Sequence, residues 1–342
     1  LTETSNVSVK VYVKQQINLL ENLEPLSRIE RAGFFNGVLF GISSREDGLL
    51  YLYKEAEQIA KIGKNGKGPY EYRKPGPIKM YGDILYVWDY ENRKFVGFNK
   101  ELEPVEEFGG IVRQVSDFCM TKKFIAIFHN DGTVRIYDKN DKSLIYENND
   151  ANIDDRVLLI LDSNGRIACN EDNVIFGYPS RSELYHYKVS TSEILIKKID
   201  DEDFHVNPTG WNSIQEVNQN IQKVNEYLFT NSALIGFYGL DRYIVGVADI
   251  GKFDPADLAP SFNLNYSFSE KEKRRKHFYV FDKDLNYLEK IVLTPDVNDS
   301  IGNQILGAYG NSLYFLKQNI INKNLSRTIS ELAFESTTVK NN

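Results

Sequence analysis

The sequence predicts an all-β fold: a six-bladed β-propeller with four-stranded blades, its ring closed by an N-terminal strand and carrying one inserted helix. Two observations carry that expectation. One is a strand pattern that recurs six times; the other is a second β-favouring run that follows five of the copies after a polar turn. A repeating all-β unit that cannot bury both its faces alone must stack against its neighbours, and six such units read as blades around a ring.

The copies are Gly37–Ser43 (GVLFGIS), Asp83–Asp89 (DILYVWD), Lys123–His129 (KFIAIFH), Asn173–Pro179 (NVIFGYP), Arg242–Ala248 (RYIVGVA) and Asn311–Lys317 (NSLYFLK). Their starts lie 46, 40, 50, 69 and 69 residues apart. The first three intervals suit a blade of roughly 40–50 residues, and the last two must contain insertions. The partner runs are Leu49–Lys54, Phe95–Lys100, Val134–Lys139, Leu184–Val189 and Phe278–Lys283. The turns before them are rich in Gly, Asn, Asp and Ser, which tolerate positive φ or hydrogen-bond their own backbone. Fourth strands are visible in Lys139–Asn148 and Lys283–Leu293. An open ring would expose a sheet edge. The alternating segment Val7–Val13 is expected to complete the last blade beside Arg327–Ser336.

The repeat spans nearly all 342 residues, so a single domain over 1–342 is expected, with insertions at about 201–234 and 251–276. The first insertion carries Ile214, Val217, Ile221, Val224 and Leu228 at helical spacing, with Ser213 and Glu216 placed as a capping box. In a four-stranded antiparallel blade, the hairpin between strands two and three and the crossover to the next blade share one end. The first insertion is a crossover and the second such a hairpin, so both rise from the same face, side by side. Loops on a rigid scaffold carry function, which makes that face the candidate binding face. Arg45, Tyr90, His129, Arg181 and Trp211 belong to it.

Composition excludes some classes. A net charge of −7 and a pI near 5.4 argue against general nucleic-acid binding, and no apolar run is long enough to span a membrane. The chain opens on Leu1 without a charged-then-apolar leader, so a targeting segment is expected to have been removed or the chain trimmed. Cys119 and Cys169 precede two successive copies by four residues each, which places both on the innermost strands of neighbouring blades. A bridge between them is conceivable, and buried free thiols are the expectation.

At Gly63–Ile78 (GKNGKGPYEYRKPGPI) and the following Asp83–Lys100, the chain resembles the NHL-type blade. Gly68, Pro69, Glu71 and Tyr72 match that blade's linker, with Tyr70 in place of its second glycine. Tyr86, Val87, Asp89, Asn92, Arg93 and Phe98 match its strands, while Lys94 and Phe95 blur the register. As a whole the chain is similar to the six-bladed, TolB-like propellers of Bacteroidales lipoproteins, in its N-terminal strand, its Pro25–Glu30 segment and its acidic blades. That resemblance implies export, a lipid anchor on a removed cysteine, a periplasmic or cell-surface location and a function largely unassigned. It transfers no catalytic residues.

The chemistry-bearing residues fit plainer roles. His129, His186, His205 and His277 share no ligand spacing, and a metal site needs several converging donors. Asp47, Asp89, Asp131, Asp138 and Asp282 sit at turns or strand ends, where they cap. Neither a P-loop nor a Gly-x-Ser-x-Gly nucleophile motif occurs. The run Lys271–Lys276 reads as a solvated hairpin end. Trp211 is either the aromatic that docks the inserted helix or a stacking platform; docking is favoured, because the helix's apolar stripe must bury somewhere.

The expected function is therefore a non-catalytic, monomeric binding or scaffold propeller that holds a glycan, peptide or protein partner on the insertion-bearing face and needs no cofactor. The alternative is a propeller enzyme of the lyase or lactonase type with a divalent ion at the central channel. Three or more carboxylate, amide or imidazole groups converging in the channel would favour the enzyme.

Overall fold

The computed structural model describes residues 7–19, 28–35, 38–44, 47–54, 57–111, 114–161, 166–219, 227, 230–251, 275–302, 304–321 and 324–338. The first strand, β1 (Val7–Leu19), lies apart from the sheet that follows it in sequence. Five four-stranded antiparallel sheets then follow in chain order. They are β2–β5 (Arg28–Phe35, Val38–Ser44, Leu50–Lys54, Glu57–Ile62), β6–β9 (Pro75–Tyr81, Ile84–Asp89, Lys94–Phe98, Pro104–Gly109) and β10–β13 (Val115–Met120, Phe124–His129, Val134–Asp138, Leu144–Asn148). The next two are β14–β17 (Ile167–Cys169, Asn173–Phe176, Glu183–Lys188, Glu193–Lys198) and β18–β21 (Ala233–Gly239, Ile244–Ile250, Arg275–Phe281, Tyr287–Val292). A sixth sheet takes β22 (Gln304–Tyr309), β23 (Ser312–Ile321) and β24 (Asn324–Thr338) and adds β1 beyond β24. The fold is an all-β propeller with four-stranded blades. The recurring pattern in the sequence is the second strand of each sheet.

Why these residues build blades shows in their burial. Every residue of β10, β11 and β19 is buried. A strand covered on both faces needs apolar residues in succession rather than in alternation, and FIAIFH in β11 supplies them. The core is accordingly a set of layers between sheets. Phe95, Phe118 and Ile127 share one layer, Phe128, Phe176 and Tyr187 the next. Each fully buried Phe contributes about 2–3 kcal/mol of apolar burial.

First strands neighbour first strands: β2 with β6, then β6 with β10, β10 with β14, β14 with β18, β18 with β22, and β22 with β2. A polar pin crosses three of them. The buried Asp117 of β10 accepts hydrogen bonds from the backbone of Arg166 (2.6 Å) and Ile167 (3.2 Å), and pairs with the Lys79 ammonium of β6 at 3.0 Å.

The turn aspartates do local work. Asp47, Asp131, Asp138 and Asp282 each accept from a backbone N–H two residues on. Asp89, fully buried, accepts from Glu91 in its own turn and also from Arg73 and Lys74 of the preceding crossover. In the glycine-rich linker, Gly68 N–H donates to Glu71, Asn92 donates to the Gly66 carbonyl, and Tyr72 O–H donates to the Ile62 carbonyl. The residues of the NHL-like motif thus hold the crossover to its blade.

Two expectations need correction. Helical structure is not confined to one insertion: besides α2 (Ile214–Gln219), the described residues include α1 (Ile153–Leu161) and α3 (Pro295–Ile301), both in crossovers. Their signals are short. Asn152 and Asp155 cap α1 reciprocally, the side chain of each accepting from the other's backbone N–H, and Thr294–Pro295 starts α3. In α2, Ser213 Oγ accepts from Glu216 N–H, and Glu216 accepts from Asn212 rather than from Ser213. The rest of the predicted helical stripe, Ile221, Val224 and Leu228, lies outside the described residues.

The second correction concerns the basic run. Lys271 to Arg274 lie outside the described residues, and Arg275 is exposed. Lys276, however, is fully buried and ion-paired to Asp249 at 2.7 Å. Strand pairing is the reason: both faces of β20 are covered, and Lys276 stands opposite Asp249 in the β19–β20 ladder, which supplies its counter-charge.

Candidate functional site

The end of the propeller that carries the second-to-third-strand hairpins and the crossovers gathers two polar clusters. The first is centred on Arg181, in the hairpin between β15 and β16. Its guanidinium lies 4.9 Å over the Tyr178 ring, donates to the Tyr185 hydroxyl (2.8 Å) and the Asp150 carbonyl (2.5 Å), and pairs with Asp155 at 2.9 Å. Asp155 is fully buried at the start of α1 and also accepts from Ser180 N–H (3.0 Å) and Oγ (2.6 Å). Burial works against the Arg181 charge, but Asp155, with Tyr185 and Glu183, outweighs it and holds the group above its ordinary pKa. Burial pushes Tyr178 and Tyr185 upward, so both remain neutral phenols near neutral pH. The result is a cation braced from beneath, its side chain 23% exposed, over an aromatic plane.

The second cluster lies where the first insertion leaves β17. Asp201 accepts from His277 Nδ1 (2.6 Å), the Tyr279 hydroxyl (2.7 Å), Lys290 Nζ (2.9 Å) and Asp203 N–H (3.0 Å). Desolvation would raise the Asp201 pKa, but these four donors hold it well below the usual carboxylate range. The Asp201 hydrogen bond raises Lys290, and burial followed by Asp201 raises Tyr279. His277 is fully buried, its Nε2 3.8 Å from Asp203. Asp201, Asp203 and His277 could hold a metal ion by proximity. Lys290, however, already stands 2.9 Å from Asp201 and 3.9 Å from Asp203, supplying the positive charge such an ion would bring. The cluster ties the crossover to β20 and β21, which is its evident work.

The two insertions start side by side. Ser232, at the end of the first, accepts at Oγ from Gly251 N–H (3.2 Å), where the second begins, and a Cβ on Gly251 would collide with the backbone of Asn231 and Thr230. Residues 252–274 of the second insertion lie outside the described residues.

The sequence-predicted residues distribute as follows. Trp211 is half-buried and packs with Tyr227, at 6.1 Å between ring centroids, against Val157 and Leu158 of α1. Thr209 N–H donates to Asp154 on the same helix. Arg181 and Trp211 are thus both referred to α1. Tyr90 packs edge-on against Trp88 in its own hairpin. His129 is buried, with Nδ1 3.1 Å from the Gln114 carbonyl, and is not presented to solvent. Arg45 lies outside the described residues. Asp155, Tyr178, Ser180, Asp201 and Lys290 escaped sequence reasoning, and His277 figured there only as one of four histidines without ligand spacing. Only Asp155 left a local trace, the Asn-x-x-Asp cap.

A cavity of about 120 Å³ lies at the other end of the first strands, lined by Lys79, Tyr81, Tyr238, both cysteines and apolar side chains. Its described lining contains no carboxylate, amide or imidazole side chain. Among the described residues, no helix is long and apolar enough to cross a membrane.

In fold, the chain is similar to a solved Bacteroides fragilis protein described as a "Putative exported protein", at 12% identity and a TM-score of 0.56, over 98% of this chain and 97% of that one. BamB of Moraxella catarrhalis is a fainter likeness, 11% identical over 95% of this chain and 98% of that one, with a TM-score of 0.37. No protein-family model matches the chain, and no curated protein matches it.

Proposed function

We propose that this chain is an exported binding or scaffold propeller. Its six sheets are six blades of one closed ring in a single domain, and it recognises a glycan, peptide or protein on the end that bears both insertions. The neighbouring of β2 with both β6 and β22, and the pairing of β1 with β24, support the ring. Export is supported by the description of the Bacteroides fragilis structure and by the resemblance to Bacteroidales lipoproteins. A lipid anchor ahead of β1 belongs to the same reading.

The observation that carries the binding role is the Arg181 cluster. A guanidinium fixed by Asp155, Tyr185 and the Asp150 carbonyl, and stacked over Tyr178, loses little side-chain entropy when a ligand meets it. Arginine and tyrosine in fixed positions are the residues that dominate recognition surfaces. The acid and imidazole of the second cluster are engaged with each other and with Lys290, so they serve as a frame.

Glycan and peptide arrays probed with the wild type, Arg181→Ala and Trp211→Ala test this reading. A ligand retained by the wild type and bound at least about tenfold more weakly by Arg181→Ala, measured well below the melting transition of each protein, is the expected result. Equal binding by all three proteins would remove this end of the propeller from the site.

A further inference from the structure

The chain contains two cysteines and two methionines, and all four, Cys119, Cys169, Met80 and Met120, line the cavity. Met80, Met120 and the cysteine pair belong to three different layers between sheets, yet all four meet at this one cavity. The cavity sits toward the ends of β6, β10, β14, β18 and β22, remote from the hairpins of the proposed binding end.

The two thiols are neighbours. Cys119 is in β10 and Cys169 ends β14, adjacent first strands, and both pack in the same layer between sheets. Neither is bridged, Cys119 is buried, Cys169 is half-buried, and burial first, then the neighbouring Cys169, raises the Cys119 thiol. Around them the wall is mostly aliphatic and aromatic, with Ile78, Ile167, Phe237 and Leu306 among its members. The charged and titratable groups that act on the pair are few. Lys79 of β6 and Asp117 of β10 bear on Cys119, while Cys169 and Glu171 bear on Tyr81 of β6.

Ligand chemistry narrows the occupant. Calcium and magnesium need several oxygen donors, and the described lining side chains offer only the Tyr81 and Tyr238 hydroxyls. Zinc takes four nitrogen, oxygen or sulfur donors, and two thiols fall short of that. Thiolate and thioether donors select copper in its monovalent state, and a d¹⁰ monovalent ion is content with two thiolates in line. We propose that Cys119 and Cys169 form a site for a monovalent thiophilic metal ion, Cu(I), with the Met80 and Met120 thioethers on the wall of the same cavity. Two S–H bonds break and two Cu–S bonds form. Both protons leave to solvent, and no electron changes hands. The bound pair carries one net negative charge, beside the Lys79 ammonium.

The test uses the whole chain, prepared anaerobically, and Cu(I) supplied as its bicinchoninate complex. Denatured fresh protein should titrate two free thiols. The folded wild type should then withdraw one Cu(I) per chain, read as loss of the complex's visible absorbance. Losing an outer-shell partner costs a metal site about 10–100-fold, so removing a ligand in Cys119→Ser or Cys169→Ser should weaken uptake by more than about 100-fold. Met120→Leu should weaken it less. Should either serine variant fail to fold, X-ray absorption of the loaded wild type decides, with sulfur as the expected first-shell neighbour. Thiols already joined as a disulfide, no withdrawal by the wild type, uptake unchanged in both serine variants, or a nitrogen and oxygen first shell would each overturn the proposal.

Discussion

Replacing Asp201 by asparagine keeps the shape of the side chain and removes the charge on which four donors converge. His277 and Tyr279 are fully buried and share one Asp201 oxygen while Lys290 takes the other; asparagine keeps a single acceptor oxygen, and its amide nitrogen donates rather than accepts. Losing one charge-assisted hydrogen bond costs about 1.5–3 kcal/mol, and stranding a buried partner adds to it. The Lys290 side chain is 28% exposed and recovers part of its share from water. A net loss of about 3 kcal/mol is therefore expected. With an unfolding entropy of about 2.1 cal/mol/K per residue, a chain of this length loses about 4 °C of Tm.

The pH dependence has a definite sign. The Asp201 pKa is depressed in the folded state, so its contribution is complete above the unfolded value of about 3.9 and disappears as pH falls through the folded one. Urea midpoints for the wild type and Asp201→Asn, read by tryptophan fluorescence at pH 6, 5, 4 and 3, should differ by a constant amount at the first two values and begin to approach each other at the last, closing only below it. Asp203→Asn, whose carboxylate is 42% exposed, should cost under about 1 kcal/mol. A variant within about 1 kcal/mol of the wild type at pH 6, or a gap that widens as pH falls from 5 to 3, would refute the reasoning.

Other perturbations test neighbouring parts. Lys276→Ala leaves Asp249 charged and buried and should destabilise by about 3–5 kcal/mol, whereas Lys276→Met with Asp249→Leu should recover most of that in denaturant titrations. Asp155→Ala removes the α1 cap together with the anchor of Ser180 and Arg181, and a loss of about 2–4 kcal/mol is expected, with faster amide exchange in α1. Gly132→Ala forces positive φ (84°) on a Cβ that would stand 2.3 Å from that of Ala151; calorimetry should show destabilisation of at least about 2 kcal/mol. Trp211→Ala should cost about 2 kcal/mol through lost packing on Tyr227, visible as a lower urea midpoint.

Blades are local objects, which is why they could be read from one sequence. A strand, its turn aspartate and its partner lie within about 20 residues, and Asp131 or Asp282 does in the fold what its neighbours in the chain suggest. The clusters are of another kind. Asp201 and His277 stand 76 positions apart and meet only because β17 and β20 belong to adjacent sheets. No spacing within a strand encodes that meeting. Polar residues in these strands also escape pattern reasoning for a physical reason. When both faces of a sheet are covered, alternation no longer tells inside from outside, and Lys276 and His129 read as surface residues though both are buried. The crossover helix α1 was legible in principle through Asn152 and Asp155, and its nine residues were too few for periodicity to stand out.

The pairing of β1 with β24 joins the first described strand to the last. The Thr337 hydroxyl donates to the Ser8 carbonyl, 329 positions away. Closing so long a loop costs about 3 kcal/mol more in chain entropy than a hairpin of about ten residues. Because β24 lies between β1 and β23, no shorter chain can finish the sheet. During synthesis, then, β1 waits as an unpaired strand through the making of five sheets, and the native state becomes available only after Asn324–Thr338 has emerged. A chain ended at residue 323 should lack more than a strand: with β1 left partnerless, it should be found among the aggregated and proteolysed species rather than as a slightly weakened fold.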